Sequence, residues 1–251
     1  MRIILHGSSG KMGTAITELA QNKRRKIVAG IDKKKREHLS YPVYEDLSCC
    51  TEDADVLIDF SNAQATDDLL EWCVFREIPL VLCTTGLSED QVEKVRLASK
   101  KIPILYSANM SLGINVLGEV VREVSKKLLP IGFDVEILEK HHRTKMDAPS
   151  GTAIFFANSM NEALEYKYIY TYNRNNSQKR RAKNEIGIAS IRGGTITGEH
   201  EIIFAGEDEV VTFSHTAYSR RVFAKGALEA AEFLVGKPPG LYCMKEVIEG
   251  L

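Results

Sequence analysis

Through the first hundred residues, short apolar runs alternate with longer amphipathic ones. Arg2-Ile3-Ile4-Leu5-His6 is a run of strand length, and 26–31, 54–61, 80–83 and 104–106 repeat it. Runs that are apolar at nearly every position, rather than at every second one, read as strands buried on both faces of a parallel sheet. Between them, 14–19 and 64–75 carry helical periodicity, and a further helix is opened by Ser88 with Gln91 three residues on, a capping box. This alternation predicts an α/β fold, a Rossmann-like doubly wound parallel sheet with helices on both faces.

From Gly113 the texture changes. A long helix to about Leu129 leads to a strand at 135–138, and after a polar stretch at 172–184 strands are expected at 187–191, 201–204 and 210–216. The last two are joined through Gly206-Glu207-Asp208, a hairpin signal. This is α+β texture. An amphipathic helix at 222–234 is expected to pack back on the first domain, which gives a dinucleotide-type domain at 1–112 with 221–251 and a second domain at 113–220.

Composition narrows the class. The 251 residues allow one large domain or two modest ones, and 33 Lys and Arg against 34 Asp and Glu leave a net charge of −1. That balance gives no electrostatic case for nucleic acid or a membrane, although Lys179-Arg180-Arg181-Ala182-Lys183 is a locally basic loop. No apolar segment approaches a membrane span and the first strand begins at once, without a signal-peptide pattern, so a cytoplasmic protein is expected. Five cysteines without C-x-x-C spacing argue against a disulfide framework and a structural zinc site; Cys49 and Cys50, adjacent, and Cys83, at a strand end, read with the others as packing or incidental thiols.

Two segments carry chemistry. The first strand runs into Gly7-Ser8-Ser9-Gly10-Lys11-Met12-Gly13. There Gly7 allows a tight turn, Gly10 lets backbone approach a pyrophosphate and Gly13 permits close helix–strand packing. The second strand ends at Asp32, placed for a ribose hydroxyl, which favours NAD; Lys33, Lys34, Lys35 and Arg36 follow, where a 2′-phosphate would sit, which favours NADP. Either cofactor is expected to be accepted, although such a charge run is also an ordinary solvated loop. The ends of the other strands, Phe60-Ser61, Thr84-Thr85-Gly86 and Ser107-Ala108-Asn109, lie where ligands of doubly wound sheets bind.

The second segment is His141-His142-Arg143-Thr144-Lys145-Met146-Asp147-Ala148-Pro149-Ser150-Gly151-Thr152-Ala153. Two imidazoles and an ammonium precede a helix start whose first-turn N–H groups suit a carboxylate or phosphate. The plainer alternative is that Ser150 or Asp147 caps the helix while the His pair and Lys145 form a solvated turn. Schiff-base chemistry at Lys145 and metal binding by His141, His142, His200 and His215 are minor readings, since neither a desolvated pocket nor a ligand spacing supports them.

These residues resemble the 4-hydroxy-tetrahydrodipicolinate reductase (dihydrodipicolinate reductase) family of the bacterial lysine and diaminopimelate pathway. The similarity runs over essentially the whole chain: the glycine motif, Asp59-Phe60-Ser61, Cys83-Thr84-Thr85-Gly86, Glu139 through Ala153, Ile191-Arg192-Gly193-Gly194, Gly198-Glu199-His200, Ser219-Arg220 with Phe223-Ala224, and Gly240-Leu241-Tyr242. The resemblance implies reduction of a cyclic imine or enamine dicarboxylate by NADH or NADPH, in a homotetramer joined through the second domain's sheets. It implies His141 as proton donor and Lys145 as charge stabiliser, with His142, Lys145, Ser150, Gly151 and Thr152 on the substrate, Gly151 and Thr152 gripping one carboxylate. It places Gly7, Ser8, Ser9, Gly10, Lys11, Met12, Asp32, Lys33, Cys83, Thr85, Ala108 and Met110 along the cofactor. Cys83 and Met110 depart from the glycine and the Phe or Tyr usual at those positions. The competing classes are a redox sensor that binds NAD(P)H without chemistry and a related oxidoreductase acting on another dicarboxylate.

Overall fold

The computed structural model describes residues 1–20, 24–34, 39–174 and 178–250. In chain order the elements are β1 (Arg2–His6), α1 (Lys11–Leu19), β2 (Lys26–Ile31), β3 (Val43–Tyr44), β4 (Val56–Asp59), α2 (Thr66–Phe75), β5 (Leu80–Leu82), α3 (Glu89–Ser99) and β6 (Pro103–Tyr106). Next come α4 (Leu112–Leu128), β7 (Asp134–His141), α5 (Gly151–Ala163), β8 (Ile169–Tyr172), β9 (Glu185–Arg192), β10 (Glu199–Ala205) and β11 (Val210–Thr216), and the chain closes with α6 (Arg221–Leu234), β12 (Gly240–Tyr242) and α7 (Met244–Glu249). The residues divide into two compact units, Met1–Leu112 with Arg220–Leu251, and Gly113–Ser219.

In the first unit the strands form a parallel sheet in the order β12-β6-β5-β4-β1-β2-β3. Successive side chains of a strand face opposite ways, so each apolar run fills two cores. Ile3, Leu5, Val56 and Ile58 pack with Ala227, Leu228 and Ala231 of α6, while Ile4, Leu57, Leu80 and Ile104 pack with Leu69, Leu70 and Val95 of α2 and α3. Covering both faces is what makes the strands apolar throughout. α6 is part of this unit's core, as its amphipathic pattern implies. α3 begins with the capping box read from Ser88 and Gln91, both of whose hydrogen bonds form.

The second unit is a mixed sheet in the order β11-β10-β7-β9-β8, with antiparallel pairs on the β10 side and parallel pairs on the β9 side. Along β7 every second residue is buried: Val135, Ile137, Glu139 and His141. The cross-strand registers line up Val135 with Ile186 and Phe204, and Ile137 with Ile188 and Ile202. These apolar rows pack against Ala153, Phe156 and Met160 of α5. The next row is polar: Ser190, Glu139, His200 and His215 stand side by side, and His141 opposite Arg192 follows. The polar row therefore sits at one end of the same face that makes the core.

The structure corrects several sequence expectations. α1 starts three residues before 14, because Gly10 turns the chain and Lys11 and Met12 already belong to the first helical turn. β7 runs to His141 rather than 138, since pairing with β9 and β10 on both sides carries the strand through charged residues that read as loop. β3, β8, β12 and α7 were not expected; each is six residues or shorter and too brief to show a period. Among the described residues no helix is long and apolar enough to cross a membrane.

Candidate active site

At the end of β1, Gly7 takes φ +78°, a backbone conformation that favours glycine, and a Cβ there would lie 2.7 Å from the Phe60 carbonyl oxygen. The Gly10 N–H donates to the Gly7 carbonyl (3.1 Å), and Gly10 then caps α1 without a side chain, leaving the helix N-terminus open to an anion. Asp32, just past β2, accepts hydrogen bonds from the Ser9 N–H (2.9 Å) and the Lys34 N–H (3.0 Å). It thereby ties the glycine loop to the loop after β2, and its carboxylate retains acceptor capacity for a ribose hydroxyl. A cleft of about 830 Å³ opens here, with Gly7, Gly10, Asp32 and Lys33 in its lining. The tight loop, the open helix end and the carboxylate fit a dinucleotide.

The other residues predicted to contact the cofactor are distributed differently. Ser8 is fully buried behind the loop, Lys11 is exposed and Met12 half-buried. Thr85 and Ala108 are exposed beyond the ends of β5 and β6, whereas Cys83 and Met110 are core residues and not part of the cleft lining. Burial pushes the Cys83 thiol well up, which keeps it protonated. Lys33 and Lys34 are exposed; Lys35 and Arg36 lie outside the described residues.

Two residues of this region were missed as functional candidates. Asp59, fully buried at the end of β4, has Oδ1 2.9 Å from His6 Nδ1 and accepts from the Ser61 N–H (3.1 Å) and the Thr84 hydroxyl (2.5 Å). His6 itself lines the cleft. This network pins the ends of β1, β4 and β5 together at the edge where ligands of such sheets bind.

In the second unit, Glu139 organises the polar end of the sheet. His141 Nδ1 lies 2.5 Å from its Oε2, Arg192 grips both oxygens (2.8 and 2.7 Å), and the Ser150 N–H donates to Oε1 (3.1 Å). Burial alone would raise the pKa of this carboxyl, but hydrogen bonds from His141, Arg192 and Ser190 together hold it well below the usual carboxylate range. An ionised carboxylate only accepts, so Nδ1 of His141 must carry a hydrogen and Nε2 is the nitrogen left for chemistry. Gly198 keeps that nitrogen uncrowded, for a Cβ there would lie 3.1 Å from it.

Ser150 caps α5, its hydroxyl oxygen accepting from the Ala153 N–H (3.2 Å), and Gly151 and Thr152 take the first two helical positions, where N–H groups point out of the helix end. Ser150 thus realises the capping reading, and the same helix start is where the anion reading would place its ligand. The loop between strand and helix carries Lys145, 2.8 Å from Asp147 Oδ1, and His142, 2.8 Å from the Thr144 hydroxyl. Arg192 also donates to the Asp147 carbonyl (2.5 Å), so one guanidinium holds both Glu139 and this loop. Glu139 and Arg192 stand among the residues that carry the family resemblance, but the sequence gives neither a role. The available signal was Glu139 two residues before His141, hence on the same face if the strand continued.

His200 is 4 % exposed, its ring 5.2 Å from that of His141 and edge-on to it. Burial, then the neighbouring His141, push its imidazole down from 6.5 to about 3. Between pH 3 and 6.5 the unfolded chain therefore binds a proton that the folded chain refuses, and stability falls as pH drops below 6.5 and is unaffected above it. Going from pH 7 to 5 is expected to cost about 2 kcal/mol through this residue. Urea unfolding at both pH values checks it: the wild-type loss should exceed that of His200→Phe by about this amount, and equal losses would contradict it.

Comparison with known proteins follows the same division. Residues 1–110 match the family model of the dihydrodipicolinate reductase N-terminus and residues 113–248 that of the C-terminus. The 4-hydroxy-tetrahydrodipicolinate reductase of Caldanaerobacter subterraneus subsp. tengcongensis is 52% identical over 250 residues, covering 99% of this chain and 98% of the relative. That of Clostridium novyi is 47% identical over 249 residues, with 99% and 98% covered. Among solved structures, a dipicolinate-bound dihydrodipicolinate reductase from Paenisporosarcina sp. TG-14 superposes with a TM-score of 0.80 at 22% identity, over 97% of each chain.

Proposed function

The chain belongs to the dihydrodipicolinate reductase family, and from that premise we propose how its residues divide the work. Its activity is the NAD(P)H-dependent reduction of 4-hydroxy-tetrahydrodipicolinate, or of the dihydrodipicolinate formed from it by loss of water, to tetrahydrodipicolinate in lysine and diaminopimelate biosynthesis. Cofactor binding is assigned to 1–112 with 221–251 and substrate binding to 113–220.

Gly7, Ser9, Gly10 and the α1 N-terminus would hold the pyrophosphate, and Asp32 with Lys33 the adenosine ribose; the bound nicotinamide supplies a hydride. The protein's own residues handle charge and protons. The substrate is a dicarboxylate, and one carboxylate is placed at the Gly151 and Thr152 end of α5, with Ser150, His142 and Lys145 beside it. Negative charge that builds on the ring nitrogen is stabilised by Lys145 and quenched by a proton from His141 Nε2. Glu139, ionised and hydrogen-bonded to Nδ1, orients the ring and leaves Nε2 to deliver that proton.

The observation that carries this reading is the buried Glu139–His141 pair on the same face as the Ser150-capped helix end. A sensor that merely binds a nucleotide has no use for a carboxylate that aims an imidazole. His141→Gln is expected to lower kcat about 10²- to 10³-fold with little change in KM, and Thr152→Val to raise KM about tenfold with kcat nearly kept. The assay is loss of reduced nicotinamide absorbance, with NADH and NADPH in turn and substrate made in situ by the synthase that condenses pyruvate with aspartate semialdehyde. Equal losses in both parameters for both variants would contradict this division.

We further assign a homotetramer in the cytoplasm. The outward face of the second unit's sheet carries Leu138, Ile191, Ile203 and Val210, an apolar strip suited to a second copy.

A further inference from the structure

Ser150 has spent all its polar groups but one. Its N–H donates to Glu139, its carbonyl accepts from the Ile154 N–H (3.1 Å), and its hydroxyl oxygen accepts from the Ala153 N–H. The same oxygen lies 3.0 Å from Nε2 of His200, and the placement of the hydrogens in that contact decides what the hydroxyl proton does.

Two arrangements are possible. If Ser150 donates to Nε2, the His200 hydrogen sits on Nδ1, which is buried and meets no hydrogen-bond partner among the described residues. A buried N–H without an acceptor is costly and rare, more so than a bare ring nitrogen. If instead Nε2–H donates to Ser150, the bare Nδ1 is an unused acceptor, and both lone pairs of the hydroxyl oxygen are filled, by His200 and Ala153. The hydroxyl proton then has no partner within the protein, so each arrangement leaves one donor unpaired, and only here does that donor lie at the α5 N-terminus, where a bound carboxylate would accept it. We propose that His200, as the Nε2–H tautomer, is a positioning residue that saturates the Ser150 oxygen and commits its proton to the substrate carboxylate at the α5 N-terminus. Its depressed pKa supports this, because a neutral ring carries a single hydrogen and the choice of nitrogen is then exclusive. His200 acts through Ser150 and does not touch the substrate.

This inference rests on the dicarboxylate reading of the site, and two measurements separate them. Neutron diffraction from a perdeuterated crystal of the full chain reads the tautomer directly: deuterium on Nε2 is expected, and deuterium on Nδ1 overturns the proposal. Calorimetric binding of pyridine-2,6-dicarboxylate in the presence of NADH reads the consequence. His200→Phe, which keeps a ring between His141 and Phe156, should weaken binding about tenfold in the wild-type background and less than about twofold when combined with Ser150→Ala. His200→Gln, whose amide can still donate to Ser150, should restore most of the loss. An equal loss from His200→Phe with and without the Ser150 hydroxyl overturns the proposal. Absence of any dicarboxylate binding by the wild type overturns the reading of the site, while the deuterium position still decides the tautomer.

Discussion

Glu139→Gln is expected to lower kcat by about 10²- to 10⁴-fold, with a much smaller change in KM. The isosteric amide presents one donor and one acceptor where the carboxylate presents two acceptors, and everything around it donates: His141 Nδ1, both Arg192 nitrogens and the Ser150 N–H. If the amide NH₂ faces His141, the ring must shed its Nδ1 hydrogen, and the imidazole loses the acceptor that orients it for the proposed proton transfer. If the NH₂ faces Arg192 and Ser150 instead, it meets their donors head-on. Either way the guanidinium loses its anionic partner in a place where Glu139 is wholly buried, which is expected to cost about 3 kcal/mol or more in stability. Glu139→Asp keeps the charge, and should therefore retain more activity than the isosteric amide despite its shorter reach. Steady-state kinetics of the two variants, with urea melts in parallel, check this. A glutamine variant as active as wild type would show that the orientation of His141 does not depend on this carboxylate.

The sequence was most informative where a residue's role is local. Strand and helix alternation, the glycine turn and the Ser150 cap depend on neighbours a few positions away, and β1, β2 and the capping box at Ser88 appear where the pattern puts them. Roles created by strand pairing were not legible. Arg192 stands beside His141 only because β7 and β9 run parallel in a particular register, and His200 stands beside Glu139 only because β7 and β10 pair antiparallel. Charge hid the end of β7 for the same reason: Glu139-Lys140-His141 looks like a loop until two neighbouring strands hydrogen-bond it. Cys83 and Met110, which the family resemblance sets along the cofactor, have their side chains in the core of the first unit.

Close backbone packing shapes the glycine loop of the first unit, and this loop gives the second large effect. Gly13→Ala is expected to abolish measurable NADH binding or to prevent the first unit from folding, whereas Gly10→Ala, three residues earlier in the same motif, is expected to leave the melting temperature nearly unchanged and raise the NADH dissociation constant about tenfold. A Cβ at Gly13 would lie 2.3 Å from the Ser8 carbonyl oxygen and 2.5 Å from that of Gly7. Both are backbone atoms, and Gly7 is itself held by its N–H bond to the Ile31 carbonyl (2.9 Å), so α1 has to move off the loop. At Gly10 the nearest atom is the Gly7 carbonyl oxygen at 3.3 Å, a shift of a few tenths of an ångström, but the methyl then stands at the exposed N-terminus of α1 where a pyrophosphate must approach. Thermal melts and titration of NADH fluorescence for both variants separate the two roles. Wild-type melting and binding in Gly13→Ala would mean that the close contact between helix and loop does not shape the cleft, and equal losses of stability in both variants would remove the distinction between a glycine needed for packing and one needed for the ligand.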